Sequence, residues 1–508
     1  MSEIPWHSKF ERMMLPSLDT NGLMETILTH RGYSIPKSKV DAAKTKQLVA
    51  DLTVCPKLNK KFASADAQAG LTFKLFKESP TRWYVPRAYG LETFGPAESS
   101  VLSDGLDLPA AAAEFKGSPY QYQTDIINSF LAAGSNGLIC VPCGKGKTFM
   151  ALKIAASLGK RFLVIVDKEF LMNQWRGEMS ALMPGLRIGI LQGPKCQVDA
   201  AEYDCTICMI QTLCGKDYSE QTFQEYGLAI FDECHHLAAQ HFSKTLQKVQ
   251  TKCMLGLSAT PTREDGLTKV FFWFLGKPVY WEKQREPDPT VEVVSVLVKS
   301  DDAEYNTVPT DWRGETVMAR LLTNVLGCSE RTDEIVRRIV GLCADADRRV
   351  LVLSERIGHL NEIERRVAAI DGALTMSYYI GGMKEKVREE GAATARILLA
   401  SYAMASEAMN IKTLNTVILA SPRKHVEQST GRILRVRPSE RVVVPLIVDI
   451  VDVHPMYRGQ WKKRLTYYRK CAYSLKTEGM RGVGARLMEP VEEAGAPVRM
   501  TPGKPMFI

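Results

Sequence analysis

A loop rich in glycine and lysine is the first feature of this chain that could do chemistry. The segment Val141-Pro-Cys-Gly-Lys-Gly-Lys-Thr148 follows an apolar, strand-like run and precedes an apolar, helix-like run. A strand, a tight turn and a helix N-terminus together aim several backbone N–H groups at one anion. The fit is to the relaxed G-x-G-K-T form, because the strict pattern has glycine where Val141 stands. The pattern predicts that Lys147 reaches the β/γ-phosphate oxygens and that Thr148 ligates Mg²⁺, within a loop made of Cys143, Gly144, Lys145 and Gly146.

An acidic pair follows a second apolar run. The run 228–231 reads as a buried strand, and Asp232-Glu-Cys-His-His236 comes directly after it. Ligands of open α/β sheets bind at the carboxyl ends of the strands. We therefore predict that Asp232 holds Mg²⁺ through water and that Glu233 orients and deprotonates an attacking water. An isolated acidic pair is more often a solvated turn, but the preceding phosphate loop and the strand-like runs between the two motifs favour an active site.

An arginine motif stands in the second half of the chain. The segment Glu427-Gln-Ser-Thr-Gly-Arg-Ile-Leu-Arg435 is predicted to be one helix, with Arg432 and Arg435 on about one face. Gln428 lies on the same segment. An arginine supplied across a cleft can stabilise the charge that develops on a transferred phosphoryl group. Helical arginines are usually solvated, so this interpretation depends on the other two motifs.

Bulk properties describe a soluble, globular chain. At 508 residues it is long enough for about three domains. No apolar run approaches the roughly 18 residues that span a membrane, and the N-terminus lacks the form of a signal peptide, so an intracellular protein is expected. The formal charge of +9 is concentrated after residue 453. A basic end is compatible with a solvated tail or with binding to a polyanion, and composition does not separate the two.

Twelve cysteines, unevenly spaced, favour a reducing compartment over a disulfide framework. The pairs Cys140/Cys143 and Cys205/Cys208 have a spacing seen in zinc sites. Both lie in or at the end of apolar, strand-like runs, where alternating side-chain directions would separate the sulfurs. We therefore expect the strand cysteines to be core residues.

Alternating strand-like and helical patterns predict parallel sheets built from βαβ units. The predicted divisions are 1–112 (an accessory module of mixed structure), 113–290 (the first α/β domain), 291–322 (a linker), 323–452 (the second α/β domain) and 453–508 (a basic helix and a disordered tail). In the first module, aromatic and basic residues alternate between Phe73 and Gly90. Such a pattern serves either a nucleic-acid surface or a small aromatic core.

The three motifs, in this order from Tyr122 to Asp452, resemble those of superfamily 2 nucleic-acid helicases. The resemblance is to the branch containing XPB and the phage protein UvsW, and within it to helicases of large DNA viruses related to the poxvirus transcript-release ATPase. It implies an α/β fold with two tandem RecA-like parallel-sheet domains and an N-terminal accessory α+β module. It also implies hydrolysis of ATP with Mg²⁺ between the two domains. The N-terminal match rests on the segments 32–37 and 85–90.

The resemblance also implies roles for individual residues near the nucleotide. Gln123 corresponds to the adenine-reading glutamine, with Gln121 as an alternative because the Tyr-Gln pair is doubled. Residues implied to couple hydrolysis to movement are His235, Ser258, Thr260 and Glu407. The loop containing Glu407 has Ala408 and Asn410 where the family has glycine and aspartate. Asn410 keeps a carbonyl acceptor but lacks the charge.

Contacts with the nucleic-acid backbone are implied for a further set of residues. Small residues and hydroxyls suit this task because they let backbone N–H groups reach phosphates without reading bases. Little sequence preference and a steep loss of affinity with salt are therefore expected. The residues are Gln211, Thr212, Arg263 (of Arg263-Glu-Asp265), Ser354, Gly381, Gly382 and Ser401.

These features predict an ATP-dependent DNA helicase or translocase that moves along or unwinds single- or double-stranded DNA, in viral transcription, replication or repair. DNA is preferred to RNA by resemblance alone. The alternatives are an RNA helicase, which shares the Asp-Glu-x-His box, and a double-stranded DNA translocase that does not separate strands. A nucleic-acid clamp without turnover would require that residues of the ATP motifs be replaced, and all of those residues are present. A transcription complex is a further expected partner, a membrane is not, and the sequence names no protein partner.

Overall fold

The computed structural model describes residues 24–57, 71–238, 243–259, 261–263, 265–282, 286–407, 409, 411–436 and 438–480. The chain divides into two compact units. The first comprises residues 1–287 with 406–410, and the second comprises 288–405 with 411–508. Within the described ranges, no helix has the length and apolar character needed to cross a membrane. The tail after residue 482, predicted to be disordered, lies outside the described residues.

The first unit begins with a small sheet of short strands. Five strands pair in the order β5-β6-β2-β1-β7, and β3 pairs separately with β4. Asp41 caps the first helix by accepting a hydrogen bond from the Lys44 N–H at 2.7 Å. The elements are β1 (Ile27–Thr29), β2 (Gly32–Pro36), α1 (Ala42–Leu52), β3 (Thr53–Val54), β4 (Phe73–Lys74), β5 (Lys77–Glu78), β6 (Arg82–Val85), α2 (Arg87–Phe94), β7 (Ser99–Ser100) and α3 (Ala110–Ala113).

The aromatic residues of this part lie in a core. Phe73, Phe76, Trp83, Tyr84 and Tyr89 are each at most 9% exposed. The sequence pattern allowed either a nucleic-acid surface or a small aromatic core, and for these aromatic residues the structure shows a core. That core is continuous with one face of the adjoining large sheet, because a single hydrophobic cluster contains residues of both.

The large sheet of the first unit has eight strands in the order β11-β10-β12-β9-β13-β14-β8-β15. All neighbouring pairs are parallel except β10 with β11. Its strands are β8 (Asn136–Cys140), β9 (Phe162–Val166), β10 (Ile188–Gln192), β11 (Lys195–Cys196), β12 (Cys205–Met209), β13 (Leu228–Phe231), β14 (Cys253–Ser258) and β15 (Pro278–Trp281). Its helices are α4 (Gln121–Ala132), α5 (Lys147–Leu158), α6 (Glu169–Leu182), α7 (Ile210–Gly215), α8 (Ser243–Lys248) and α9 (Thr268–Leu275).

The central strands of this sheet are buried on both faces. Every residue of β9, β12 and β13 is buried, as expected when helices cover both sides of a parallel sheet. This double burial explains why the strands appear in the sequence as continuous apolar runs and not as alternating ones.

The second unit contains a seven-stranded sheet in the order β18-β19-β17-β20-β21-β16-β22. All its strand pairs are parallel. The strands are β16 (Glu292–Val298), β17 (Val350–Ser354), β18 (Met376–Tyr379), β19 (Ile397–Ser401), β20 (Thr416–Leu419), β21 (Leu446–Asp452) and β22 (Ser474–Gly479). The helices are α10 (Ala303–Asn306), α11 (Met318–Gly327), α12 (Ser329–Cys343), α13 (Ile357–Ile370), α14 (Glu385–Thr394), α15 (Tyr402–Glu407), α16 (Glu427–Thr430) and α17 (Pro455–Lys470).

Two segments outside the predicted second α/β domain belong to this sheet. The stretch 291–322, expected to be a linker, contains β16, which pairs with β21 on one side and β22 on the other. The C-terminal segment provides both β22 and the helix α17. The sheet of the second unit is therefore built from strands drawn from residues 292 to 479.

Candidate active site

The phosphate loop runs from the carboxyl end of β8 to the first residue of α5. Gly144 and Gly146 have φ angles of +89° and +80°, a left-handed conformation that glycine adopts without a steric penalty. Gly146 immediately precedes α5, so the first N–H groups of that helix point out of its N-terminus. A Cβ at Gly146 would lie 2.5 Å from the side-chain nitrogen of Gln123. The loop is thus a backbone cradle that a larger residue at position 146 would distort.

Lys147 meets the acidic pair at the carboxyl end of β13. Its Nζ lies 3.3 Å from Oε1 of Glu233, and the two side chains are 13% and 19% exposed. Burial by itself would lower the pKa of Lys147, but the negative charge of Glu233, followed by Cys143 and Asp232, raises it above its usual value. Lys147 therefore stays positively charged at neutral pH.

Asp232 is fixed from two sides. Its backbone N–H donates to Ile165 O at 3.0 Å, and the Trp175 indole N–H donates to Oδ2 at 2.8 Å. Burial, followed by the charge of Glu233, raises the pKa of Asp232 above its usual range. Glu233 itself has a φ of +42°, a strained conformation for a residue with a side chain. The charge of Lys147 offsets part of the repulsion between the two carboxylates, and a bound cation would offset more of it.

His235 follows the acidic pair and contacts the end of β14. Its Nδ1 lies 3.0 Å from the Ser258 hydroxyl and 3.5 Å from Oε2 of Glu233. The guanidinium of Arg263 donates to the carbonyl oxygen of His235 and also pairs with Asp265. The predicted coupling residues His235 and Ser258 are therefore in direct contact. The Arg263 side chain, predicted to contact nucleic acid, thus binds groups of the protein itself. Thr260 lies outside the described residues.

The predicted adenine-reading segment is joined to the phosphate loop. Both Tyr122 Oη and Gln123 Nε2 donate to Lys145 O at 3.2 Å, while Gln123 Oε1 accepts the Tyr120 N–H at 3.0 Å. Both polar atoms of this glutamine amide are therefore engaged, and the residue is 4% exposed. The alternative, Gln121, is exposed and donates to Asp125 at 2.9 Å.

The Lys145 side chain extends this connection to the end of β15. Its ammonium lies 5.1 Å from the centre of the Tyr122 ring and forms ion pairs with Glu286 at 2.8 Å and Glu282 at 3.4 Å. Glu282 is anchored in turn, since its N–H donates to Cys140 O at 2.9 Å. Residue 145 thus connects the phosphate loop to α4 and to the segment after β15.

The residues of this site fit a nucleoside triphosphate together with a divalent cation. The loop offers backbone N–H groups and the half-buried Lys147 ammonium for the phosphates. Burial and the charge of Glu233 raise the pKa of Asp232, so a cation that prefers oxygen ligands would reduce the repulsion between these two carboxylates by binding them. Thr148 lies half-buried on the first turn of α5 and adds a hydroxyl.

The arginine motif of the second unit is not one helix, contrary to the prediction. The α-helix α16 ends at Thr430, and residues Gly431–Ile433 form a 3₁₀ turn. Arg435 follows this turn, so Arg432 and Arg435 do not share a helical face. Glycine at 431 and the β-branched Thr430 are weak helix formers, which accounts for the early end.

The two arginines also differ in their surroundings. Arg432 is 6% exposed, and its Nε donates to Ala405 O at 2.5 Å. Arg435 and Gln428 are half-buried. The side chain of Glu407 and the residues Ala408 and Asn410 lie outside the described residues.

The four predicted nucleic-acid contacts of the second unit lie at the carboxyl ends of three adjacent strands of its sheet. Ser354 and Ser401 are register partners at the carboxyl ends of β17 and β19, and Gly381 and Gly382 follow β18 next to them. Gly382 has a φ of +84°, and no heavy atom lies within 4 Å of a Cβ built at either glycine. The Ser354 hydroxyl is buried and lies 3.1 Å from Nδ1 of His359.

The corresponding residues of the first unit make local contacts. Gln211 Nε2 donates to Asp167 O at 2.6 Å, and the Thr212 hydroxyl accepts the Gly193 N–H at 3.0 Å. Both residues lie on α7, directly after β12. Their side chains therefore hold the segments that follow β9 and β10.

The strand cysteines Cys140, Cys205 and Cys208 are buried in the core, whereas Cys143 is half-buried in the loop after β8. Cys205 and Cys208 are fully buried and belong to different hydrophobic clusters, because residues three apart on a strand face opposite sides of the sheet. Among the described residues, no group of three or more His, Cys, Asp and Glu side chains is arranged to hold a metal ion.

Sequence reasoning missed Trp175 and the acidic partners of Lys145. Trp175 lies on α6, fifty-seven residues before the aspartate that it contacts. No motif marks it, although a tryptophan in an otherwise amphipathic helix signals a buried position. Glu282 and Glu286 were visible only as part of an acidic stretch that follows a strand.

Comparison with known proteins shows which family this chain belongs to. The family model described as "Type III restriction enzyme, res subunit" matches residues 116–263. A protein of Acanthamoeba polyphaga mimivirus, whose name describes an ATP-dependent RNA helicase, is 31% identical over 464 residues, which is 89% of this chain and 87% of that protein. A Halobacterium salinarum protein, whose name describes the DNA 3'-5' helicase Rad25, is 34% identical over 194 residues, which is 36% of this chain and 31% of that protein.

The fold is also similar to a solved helicase structure. The structure of S. cerevisiae Dbp5 bound to RNA and ADP BeF3 matches with a TM-score of 0.51 at 10% identity, over 72% of this chain and 90% of that one. The predicted fold class, with tandem RecA-like parallel-sheet domains, is confirmed. The chain belongs to the superfamily 2 helicases, in the viral group related to XPB and UvsW. Its activity is accordingly that of an ATP-dependent helicase.

Proposed function

We propose that this protein is a DNA-directed motor, a helicase or translocase that uses the Lys147–Glu233–Asp232 site to hydrolyse ATP. The observation that carries the proposal is the half-buried ion pair between Lys147 and Glu233, with Asp232 next to Glu233 in the chain and the phosphate loop next to Lys147. A charged lysine beside two carboxylates, next to a helix N-terminus, suits phosphoryl transfer better than any structural role.

In the proposed reaction, the N–H groups of the loop and Lys147 hold the β- and γ-phosphates of ATP. Glu233 orients the attacking water and accepts its proton while the water oxygen bonds to the γ-phosphorus and the bond to the leaving ADP breaks. The proton then passes from Glu233 to the phosphate product, so Glu233 is charged again and pairs with Lys147 after the products leave. Thr148 and Asp232 would hold Mg²⁺, which neutralises phosphate charge when bound. Arg432 and Arg435 would supply positive charge to the γ-phosphoryl group as it departs.

Movement would follow from changes at His235 and Ser258. Both side chains are within hydrogen-bond distance of each other, and His235 also approaches Glu233, which would feel the arrival and loss of the γ-phosphate. A change at Glu233 would thus alter a contact at the end of β14. Thr260 and Glu407 are proposed to take part in the same coupling.

DNA is proposed as the track because the sequence motifs resemble the XPB and UvsW branch, and because the Halobacterium relative is named a DNA helicase. Nucleic-acid contact is proposed at the exposed Gly381–Gly382 turn and near Ser354 and Ser401, at one edge of the second sheet. Exposed backbone binds phosphates without reading bases, so little sequence preference is expected. The same motor would act on viral transcription, replication or repair complexes.

An RNA helicase is the second candidate. The mimivirus relative, which matches most of this chain, is named an RNA helicase, and the matched Dbp5 structure is that of a complex with RNA. Both tracks present the same phosphate backbone, so the ATP site does not distinguish them.

The deciding experiment is steady-state ATP hydrolysis by the full chain without nucleic acid, with single-stranded DNA, with duplex DNA and with RNA. Lys147→Ala and Glu233→Gln serve as active-site variants. Stimulation by DNA that is lost in both variants supports the proposal, and Glu233→Gln should still bind ATP. Stimulation by RNA alone would replace it with the second candidate. Undiminished turnover in either variant would refute the site assignment.

A further inference from the structure

A tight turn in the second unit carries an almost fully exposed tryptophan at its tip. Trp312 is 85% exposed, and the turn is closed by an antiparallel bridge between Thr310 and Thr316. Tryptophan is rarely left in water to this extent, because its ring offers a large apolar area to bury. An exposed ring at this position therefore indicates a surface that a ligand covers.

The turn holds the tip without help from the tryptophan ring. Oδ1 of Asp311 accepts the N–H groups of Arg313 and Glu315, each at 2.9 Å. The Asp311 N–H donates to Glu315 O at 2.8 Å, and the Gly314 N–H donates to Asp311 O at 2.9 Å. Gly314 has a φ of +76°, which this tight geometry requires. The ring is therefore presented on a backbone that is already ordered.

The ring already stacks with a cation. The Arg313 guanidinium carbon lies 4.3 Å from the centre of the Trp312 ring. An aromatic ring paired with an arginine is a stacking platform for a nucleobase, because every base has a π-face and the guanidinium adds a cation–π contribution. The pair is thus suited to a flat, electron-rich ligand.

The surrounding charges decide which part of a nucleic acid this tip would contact. Between Lys299 and Arg320 there are five acidic residues and three basic ones. The acidic residues are Asp301, Asp302, Glu304, Asp311 and Glu315. A phosphate backbone lying along this segment would be repelled, whereas a base offered by its face would not. The arrangement favours contact with an unpaired base over contact with the backbone.

We propose that Trp312, supported by Arg313, stacks on an unpaired nucleobase where a duplex opens into single strands. This inference rests on the proposed nucleic-acid motor and adds to it a specific contact in the second unit. It predicts a contribution to binding that depends weakly on salt, because no phosphate is neutralised.

The test uses the full chain and forked DNA and RNA substrates, each with 2-aminopurine at the first unpaired position. Trp312→Ala is compared with Trp312→Phe, which keeps an aromatic face, and with Val442→Ala. Val442 is 92% exposed in the same unit and serves as the matched control for loss of an exposed apolar side chain. For Trp312→Ala, we expect loss of 2-aminopurine quenching and a fall in fork affinity of about tenfold, within the range of roughly five- to 150-fold typical of base stacking on aromatic residues.

Trp312→Phe should retain most of the quenching, and Val442→Ala all of it. ATP hydrolysis without nucleic acid should be unchanged in all three variants, because none touches the ATP site. Equal quenching and affinity in Trp312→Ala and the wild type would overturn the proposal and leave a protein partner as the occupant of this tip. A wild-type protein that binds neither fork would overturn the proposed function as well, a result that the variants are not needed to recognise.

Discussion

At the scale of residues, the proposed ATP site is a set of contacts that each restrict one group. Lys147 is paired with Glu233, Asp232 is held by Trp175, and both polar atoms of the Gln123 amide are occupied. Pre-ordered groups of this kind stabilise developing charge without having to reorganise during the reaction. Lys145 adds a different effect, since its contacts lead away from the phosphates toward Tyr122 and Glu282.

We predict that Lys145→Ala raises KM for ATP by about three- to tenfold and leaves kcat within about twofold. The ammonium contributes roughly 1 kcal/mol through Tyr122 and a similar amount through Glu282, and both contacts shape the loop instead of contacting the reacting atoms. Steady-state kinetics over a range of ATP concentrations measures both constants.

Two glutamate variants act as controls for this prediction. Glu282→Gln should reproduce part of the Lys145→Ala effect, because this carboxylate is 15% exposed, whereas Glu286→Gln should have little effect, because that one is 80% exposed. A hundredfold loss of kcat with unchanged KM in Lys145→Ala would contradict the prediction and make Lys145 a catalytic residue.

At the scale of elements, the sequence predicts strands better than it predicts what joins them. The run 228–231 coincides with β13, and 162–166 with β9, since a strand buried on both faces has to be continuously apolar. The strand β16 was assigned to a linker although it is rich in valine. Its partners β21 and β22 lie about 150 and about 180 residues further along the chain, and local pattern does not show such distant pairing.

The helix α17 shows a second limit of the pattern. Trp461, Leu465 and Tyr468 recur at the spacing of an apolar helical stripe, yet of these three only Tyr468 is buried, and Trp461 and Leu465 are half-buried. Arg464, which looks like one more solvated cation, is 3% exposed. Its guanidinium makes two hydrogen bonds of 2.8 Å to Asp449 on β21. Nothing in a basic, amphipathic helix distinguishes the one arginine that pairs with a carboxylate in the core.

We predict that Arg464→Ala lowers the free energy of unfolding of the second unit by about 3–5 kcal/mol. After this substitution, the carboxylate of Asp449 is still fully buried and charged. Among the described side chains, only the Tyr468 hydroxyl, at 3.1 Å, then still donates a hydrogen bond to it. Denaturant unfolding measures the loss. Lys463→Ala, an exposed position next to it on the same helix, should change stability by less than about 0.5 kcal/mol. Equal stability of the two variants would show that the buried pair contributes little.

At the scale of the whole molecule, the N-terminal part and the first large sheet of unit 1 are physically continuous. One hydrophobic cluster includes residues of both, and Tyr89 packs edge-on against Trp273 at 5.4 Å between ring centres. The sequence suggested a separate accessory module of residues 1–112, because composition changes near its end. Shared burial between distant segments is a tertiary property, and composition does not report it.

Arg87 is the polar counterpart of this shared core. Its guanidinium donates to Asn136 Oδ1 at 2.8 Å, to Thr251 O at 3.2 Å and to Lys252 O at 3.0 Å. Burial lowers the pKa of Arg87 to about 10, which still leaves it charged at neutral pH. A single side chain thus joins α2 to the ends of two strands of the large sheet.

We therefore predict that Arg87→Ala destabilises the first unit by about 1–3 kcal/mol, because Thr251 O loses its donor in a buried place, whereas Asn136 Oδ1 and Lys252 O still accept from Met254 N–H and Asn136 Nδ2. Arg87→Lys should recover little, since an ammonium does not reproduce the planar fork. Lys77→Ala, at an exposed position on β5 in the same N-terminal part of the first unit, is the matched control.

A chain that starts at residue 113 should lose ATP hydrolysis by unfolding, with dye binding to the exposed core. If that shortened chain keeps both its folding transition and its basal hydrolysis and loses only affinity for nucleic acid, residues 1–112 are an accessory module that the ATP-hydrolysing part does not need for its stability.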